Sequence, residues 1–160
     1  MTAGKPLLKN QEILDCYANG IRDFTGYELY ISDDIIGADL SGVDFSELEL
    51  SDSYLENINL SGANLRGAGL NSAFLDGANL RGANLSEARL SRASLWNVDL
   101  TGANLSNADL PSAEIVKSNL SNANLTGANV ARTLIEQNNL THTNLTGVNL
   151  QEALRFVCNS

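Results

Sequence analysis

Bulky apolar residues recur at every fifth position of this chain, without interruption, from Ile35 to Leu150. Leucine occupies 19 of these 24 positions. A period of five matches neither the 3.6 residues per turn of an α-helix nor the two-residue alternation of a β-strand, so neither element could keep these side chains on one side. Each five-residue unit must therefore contain a turn.

A small residue, most often alanine, stands two positions before most of these bulky residues, as at Ala63 and Ala78. If each unit forms one side of a square coil, four units complete a turn, and successive coils stack at the strand spacing of about 4.8 Å. Bulky and small side chains then point inward, while the other three positions face water. The pattern predicts an all-β solenoid with columns of leucine in its core.

Tandem units such as Ala-Asn-Leu-Arg-Gly (78–82), Ala-Asn-Leu-Ser-Glu (83–87) and Ala-Asn-Leu-Thr-Gly (123–127) resemble those of the pentapeptide repeat family. The resemblance extends over most of the chain. It implies the fold of that family, a right-handed quadrilateral β-helix with a short N-terminal helical cap. Members of the family are common in cyanobacteria, and most of them lack an assigned function.

The chain is expected to divide into an N-terminal cap over residues 1–34, a pentapeptide-repeat β-helix over 35–150 and a C-terminal cap over 151–160. The repeat frame fails at the C-terminal end because Arg155 stands where a leucine is due. The apolar residues around it are expected either to fold over the last coil or to make a dimer contact. These residues are Leu154, Phe156 and Val157.

The N-terminal segment is expected to cover the open end of the first coil, which would otherwise expose unpaired backbone groups. Asn10 is predicted to cap a short helix that runs to about residue 19, and Gly20 to end it. Two degenerate repeats centred on Phe24 and Leu29 follow, with one extra residue before the regular frame begins.

The net charge of −9 argues against binding to nucleic acid or to an anionic membrane surface, since both require basic patches. No stretch approaches the roughly 20 apolar residues of a membrane span, and no signal-peptide core is present at the N-terminus. These features predict a cytoplasmic protein that has a protein as its partner. A homodimer through the C-terminal end is a further expectation.

Catalysis requires a poised acid, base or nucleophile, and the sequence offers none. The single histidine, His142, falls at an outward corner of the repeat, where it is expected to be solvated. Cys16 and Cys158 lie near opposite ends of the chain, and neither has a histidine or a second cysteine nearby. We therefore predict that the protein is not an enzyme and that it uses no cofactor and no metal ion.

One side of the coil departs from the repeat pattern and is the candidate interaction face. Clustered apolar groups on a rigid surface commonly mark a contact site. The alternative is that they only pad the edges of the coils. The outward positions concerned are Tyr54, Phe74, Trp96, Val116 and Leu134.

Polar residues predict two further local features. On two sides, the position before leucine is mostly asparagine, and these amides are expected to form ladders between neighbouring coils. Asn138 stands at an inward position where alanine is usual, so it must find hydrogen-bond partners or distort the coil. A local irregularity near the C-terminal coils is therefore predicted.

The sequence favours a non-enzymatic protein-protein interaction scaffold. The family resemblance suggests an alternative, a DNA mimic that modulates a type II topoisomerase. Such a mimic requires a continuous acidic stripe. Here residues 1–75 hold 12 acidic and 4 basic residues, whereas 76–160 hold 7 and 6, which argues against mimicry. A structural filler without a fixed partner is a third possibility.

Overall fold

The computed structural model describes residues 4–32 and 35–158. The chain winds into a right-handed four-sided β-helix in which each coil pairs in parallel with the next. Within the array the paired residues are 20 apart, as in Asn59 with Asn79 and Asn64 with Asn84. The predicted fold class is therefore confirmed.

Backbone hydrogen bonds join each side of a coil to the same side of the next. The Leu60 N–H donates to the Asn79 carbonyl at 2.8 Å, and the Asn79 N–H donates to Ile58 at 2.9 Å. At the corner, Gly62 takes a positive φ of 66°, and the Ala63 N–H closes the turn onto Leu60 at 3.0 Å. Glycine is common at this corner because it reaches positive φ without a steric penalty.

The core consists of the predicted columns of leucine, flanked by alanine. Leu80 and Leu85 are 0% exposed, and Ala78 is 1% exposed. Full burial of a leucine side chain stabilises a fold by roughly 1.5–3 kcal/mol relative to exposure. Successive coils repeat this burial, so the stabilising contribution grows with the number of coils.

The N-terminal cap contains strand β1 (Leu7–Lys9) and helix α1 (Asn10–Ala18). The prediction that Asn10 caps this helix is wrong, because Lys9 occupies the capping position and its N–H donates to Glu12 Oε2 at 2.9 Å. The Asn10 amide instead donates to Ser32 Oγ at 2.7 Å and accepts from the Ser32 N–H at 3.0 Å. The amide of Asn10 thereby fastens the helix to the chain that leaves the cap.

The end of α1 and the degenerate repeats agree with the prediction. Gly20 has a φ of 88° and its N–H donates to the Tyr17 carbonyl. Phe24 is 0% exposed, and strand β2 (Glu28–Tyr30) pairs in parallel with β1. Within the described residues, no helix is long and apolar enough to cross a membrane.

The fourth side of the coil carries strands β3 (Ser94–Trp96), β4 (Glu114–Val116) and β5 (Leu134–Asn138). After a 3₁₀ helix at Leu150–Glu152, strand β6 (Arg155–Cys158) pairs in parallel with β5.

The backbone of β6 therefore continues the fourth side. The side chains of Phe156 and Val157, which were expected to fold over the last coil, lie outside the described part of the structure, so that expectation stays a prediction. Leu134 pairs with Arg155, 21 residues further along the chain. The last coil therefore contains one extra residue, which brings Phe156 opposite Ile135, and the fourth side continues as β6. Leu154 remains 72% exposed.

Candidate interaction face

Tyr54 and Phe74 form the most exposed part of the fourth side. They occupy the same position in successive coils and pair in parallel through their backbones. Their rings stack with centroids 5.0 Å apart and planes inclined by 18°. Tyr54 is 42% exposed and Phe74 is 40% exposed. Two aromatic rings are thus held side by side, each open to solvent.

Trp96 lies beyond this stack and is held by polar contacts. Its indole Nε1–H donates to Glu114 Oε2 at 2.8 Å, and its backbone N–H donates to Asp76 Oδ1 at 2.9 Å. The indole is half-buried as a result. A tryptophan fixed at both its ring and its backbone loses little freedom when a partner contacts it.

The two remaining predicted residues differ in exposure. Leu134 is half-buried, so it contributes some apolar surface. Val116 is only 3% exposed, so the prediction that it faces outward is wrong. We call Tyr54, Phe74, Trp96 and Leu134 the aromatic face.

Two buried polar residues explain why the fourth side forms longer strands than the other sides. Ser118 Oγ accepts from the Val98 N–H at 2.9 Å and donates to the Leu95 carbonyl at 2.8 Å. Ser118 thereby bonds to the N–H and to the carbonyl of this corner, two groups that bond directly to each other at other corners. Asn138 does the same one coil later, accepting from the Ser118 N–H and donating to Ile115, each at 2.7 Å.

The opened corners let the backbone continue as a strand. The register shifts between Glu136 and Asn138, which confirms the irregularity predicted from the polar side chain of Asn138. Within the aromatic face, the corner after Trp96 is therefore held by a side chain, whereas the corner after Phe74 closes through the backbone bond from the Ala78 N–H to Leu75.

Asparagine ladders cover two neighbouring sides, as predicted. The Asn79 amide donates to Asn59 Oδ1 at 3.0 Å, and Asn84 donates to Asn64 at 3.3 Å. The Asn119 amide donates to Thr101 Oγ1 at 2.8 Å, so that ladder changes partner at this coil. These amides satisfy one another, so most positions within the two ladders are uncharged.

One ion pair on the third side spans two coils, which the sequence pattern did not predict. Arg89 Nη2 lies 3.1 Å from Glu49 Oε2, although the two residues are 40 positions apart. Gly69 lies between them, and a Cβ there would come within 2.4 Å of Glu49 and 2.7 Å of Arg89. The missing side chain makes room for the ion pair.

Carboxylates in the N-terminal coils are stabilised in their charged form. The Ser41 backbone N–H bond lowers the pKa of Asp39, and the Ser51 hydroxyl lowers the pKa of Glu49. Burial opposes the trend at Asp44, but hydrogen bonds from Ser46 keep the pKa of Asp44 below its usual value. These three carboxylates therefore keep their negative charge to a lower pH than unperturbed side chains of the same type.

The described residues hold no group of three or more His, Cys, Asp or Glu side chains arranged to bind a metal ion. His142 is exposed at a corner with a φ of 58°, where the sequence placed it. Cys16 is a free thiol, and the side chain of Cys158 lies outside the described part of the structure.

Parallel coils of four five-residue sides, closed by positive-φ corners around a leucine core, define the molecule as a β-helical repeat protein. The model of the family described as "Pentapeptide repeats" matches eight copies over residues 34–62, 44–82, 78–115, 88–127 and 118–154. The chain belongs to the pentapeptide repeat family.

Solved structures of other pentapeptide repeat proteins resemble the chain. A protein of the Arabidopsis thaliana thylakoid lumen is 36% identical with a TM-score of 0.63, covering 65% of this chain and 72% of its own. A protein from the cyanobacterium Cyanothece 51142 is 30% identical with a TM-score of 0.39, covering 71% and 84%. Trypsin-treated QnrB1, a plasmid-mediated fluoroquinolone resistance protein, is 17% identical with a TM-score of 0.53, covering 79% and 69%. No curated protein matches the chain in sequence.

Proposed function

We propose that this chain is a non-enzymatic scaffold that binds a protein through the aromatic face. The observation that carries the proposal is the stack of Tyr54 on Phe74, since two large rings are 42% and 40% exposed on a regular backbone. Aromatic residues are enriched among the side chains that dominate protein interfaces.

Rigidity supports the same function. Between Tyr54 and Leu134 the face crosses four coil steps of about 4.8 Å, roughly 19 Å in all. Backbone hydrogen bonds join every one of these steps, for example from the Phe74 N–H to Ser53 at 3.0 Å. A partner would therefore meet a preformed surface, and little entropy would be lost in ordering it.

The chemistry of the polar groups also favours a binding role over an enzymatic one. Several side chains that could serve as an acid or base are engaged in structural bonds, such as Asp76 with Trp96 and Glu49 with Arg89. The proposed location is the cytoplasm, as the sequence predicts, and the proposed partner is neither nucleic acid nor a membrane.

DNA mimicry remains a second candidate because of the net charge of −9. The amide ladders weigh against it, since asparagine rather than a carboxylate occupies most of the ladder positions on two sides. The likeness to QnrB1, at 17% identity, supports only the fold. A DNA-gyrase supercoiling assay separates the two candidates: the scaffold proposal expects no inhibition.

Affinity capture from an extract of the source organism tests the scaffold. The Phe74→Ser/Trp96→Ser variant removes two of the aromatic side chains of this face, and Ile21→Ser is a matched control, because Ile21 is an exposed apolar residue of the N-terminal cap. We expect one protein to be retained by the wild type and by Ile21→Ser and to be lost by the double variant. Equal capture by all three would refute the aromatic face as a binding site.

A homodimer through the C-terminal end is a separate proposal. Leu154 is 72% exposed at that end, next to the last strand of the fourth side. Sedimentation equilibrium of the wild type and of Leu154→Ser measures the mass directly. We expect a dimer whose dissociation constant rises in the variant, and a wild-type monomer would overturn the proposal.

A further inference from the structure

A groove separates the N-terminal cap from the first regular coil. One part has a volume of about 490 Å³ and the other about 390 Å³. The residues Leu29, Tyr30 and Glu49 line both parts, so the two form one continuous depression. We call it the N-terminal groove.

Main-chain groups on both walls of the groove lack the partners they have elsewhere in the coil. On the preceding side, the Phe24 N–H donates to Asp44 at 3.1 Å and the Asp44 N–H donates to Arg22 at 2.7 Å. The equivalent bonds would run from the Leu29 N–H to the Glu49 carbonyl and from the Glu49 N–H to the Tyr27 carbonyl. Within the described residues, neither the Leu29 N–H nor the Glu49 N–H donates to any group.

Register shows that these free groups face the groove. In a parallel pair, alternate residues of a strand bond to the same neighbour. The Glu28 N–H donates to Pro6 beside β1, so the N–H and carbonyl of Leu29 point away from β1. On the opposite wall, Leu48 and Leu50 bond to Gly69 of the next coil, so Glu49 points toward the cap. Two strand edges thus face each other across the groove.

The groove is also acidic and aromatic. Glu28 and Asp52 are exposed in its walls and form no ion pair with a described residue. Glu47 and Glu49 also line the groove but already pair with Arg66 and Arg89, and Lys5 is the cation among the lining residues. Residues 23–56 contain ten acidic residues and no basic one. Tyr30 is 61% exposed and can cover the stem of a long cationic side chain.

We propose that the N-terminal groove binds an extended basic peptide of a partner protein by strand addition. The peptide backbone bonds to the free groups of Leu29 and Glu49, and its Lys or Arg side chains face the carboxylates of the walls. Strand addition supplies affinity through main-chain bonds, and alternate side chains supply specificity. The inference concerns a surface other than the aromatic face, with which it shares only Tyr54, so either can fail without the other.

Fluorescence anisotropy with labelled seven-residue peptides tests the proposal. The probe is an acetylated and amidated peptide of alternating arginine and valine. Two controls accompany it: a peptide of alternating glutamate and valine, and the arginine peptide N-methylated at alternate amides, which keeps the charge but blocks strand pairing. We expect the arginine peptide to bind at least tenfold more tightly than either control. Equal binding of the N-methylated peptide would overturn strand addition.

Variants of the protein separate a local site from general charge attraction. Neither the Glu28 nor the Asp52 side chain makes a hydrogen bond or ion pair to a described residue, so Glu28→Gln/Asp52→Asn should fold normally. The control Gln11→Lys/Gln137→Lys changes the net charge equally at exposed positions outside the groove. We expect at least fivefold weaker binding in the first variant and less than twofold in the second.

Equal weakening in both variants would leave only non-specific attraction and would overturn the proposal. A second copy of the chain could also occupy the groove. If the wild type is a dimer that dissociates on Tyr30→Ser, the groove is a self-association site and the proposal of a partner peptide fails.

Discussion

Asn138 lies one coil beyond Ser118, and its side-chain oxygen accepts the Ser118 N–H at 2.7 Å. The Asn138 amide group donates to the Ile115 carbonyl at the same distance. One buried side chain thus takes the two main-chain groups that would otherwise bond to each other across a corner. Polar residues inside this solenoid replace backbone bonds and leave few groups unpaired.

Replacing Asn138 by alanine should be costly because it leaves two buried main-chain groups without partners. We expect Asn138→Ala to lower the free energy of unfolding by about 2 kcal/mol or more. The corner cannot close easily, since Ser118 stays bonded to Leu95. Urea unfolding followed by circular dichroism measures the loss. A change below about 0.5 kcal/mol would contradict the bonding described.

The double variant Ser118→Ala/Asn138→Ala should be less destabilised than the two single variants together. Both corners can then close as at Ala78, whose N–H donates to Leu75 at 2.9 Å on the same side of the coil. A double-mutant cycle should give a coupling of about 1 kcal/mol or more. Strict additivity would show that the two residues act separately.

Gly69→Ala tests the ion pair that spans two coils. The new Cβ would overlap the Glu49 carboxylate and Arg89, so the pair must separate. Exposed ion pairs contribute little, so we expect a loss of about 0.2–1 kcal/mol in urea unfolding. The loss should vanish when Gly69→Ala is made in an Arg89→Ala background. A loss that persists there would trace to the backbone and not to the ion pair.

Leu85→Ala tests the leucine core. Leu85 is 0% exposed, and the cavity left by its side chain should cost about 2–5 kcal/mol. Leu154→Ala is the control, because a leucine that is 72% exposed should cost less than about 0.5 kcal/mol. Thermal unfolding of the two variants separates the effects. Similar melting temperatures would contradict the assigned burial.

The two asparagine ladders begin at aspartates, Asp39 and Asp44, which should make stability depend on pH. Hydrogen bonds lower the pKa of both Asp39 and Asp44 in the folded state, the first through the Ser41 N–H and the second, against burial, through Ser46. A lowered folded pKa contributes stability that is present above the unfolded pKa of about 4 and is lost as pH falls through the folded pKa.

Asp39→Asn/Asp44→Asn should therefore reduce this acid sensitivity. Asparagine can accept the same N–H bonds, as Asn59 and Asn79 do for the residues two positions on. We expect a similar urea midpoint at pH 7 and a smaller fall between pH 5 and pH 3 than in the wild type. An unchanged fall would assign the acid sensitivity to other carboxylates, such as Asp23, which faces Asp44.

The five-residue period was sufficient to predict the fold, because only a turn in every unit keeps each leucine inside. The prediction of amide ladders also followed from the period, since residues 20 apart stack. Local choices between neighbours were harder to predict. Asn10 and Lys9 both stand at the start of α1, so the sequence alone did not show which of them is the N-cap. The side chain of Asn10 bonds instead to Ser32, which is distant in sequence.

The candidate site was predictable only in outline. The period placed Tyr54 and Phe74 on one side, and the structure adds their stacking. The five-residue period could not indicate that Val116 is buried, because the exposure of an outward position changes where the neighbouring corner is opened. The N-terminal groove was also missed, since it arises where backbone bonds between coils are absent, and no residue pattern signals that.

The regular spacing of 20 residues between paired positions becomes 21 near both ends, from Asp23 to Asp44 and from Leu134 to Arg155, before the register shift in β5 restores a spacing of 20 at Asn138 and Cys158. An array of identical coils offers each end as a template for the next molecule, and unlimited end-to-end stacking gives fibres. A terminal coil that is one residue longer does not match the regular coil of another copy. We therefore expect the deletion of both extra residues to favour end-to-end association, which sedimentation velocity would detect as species larger than those of the wild type.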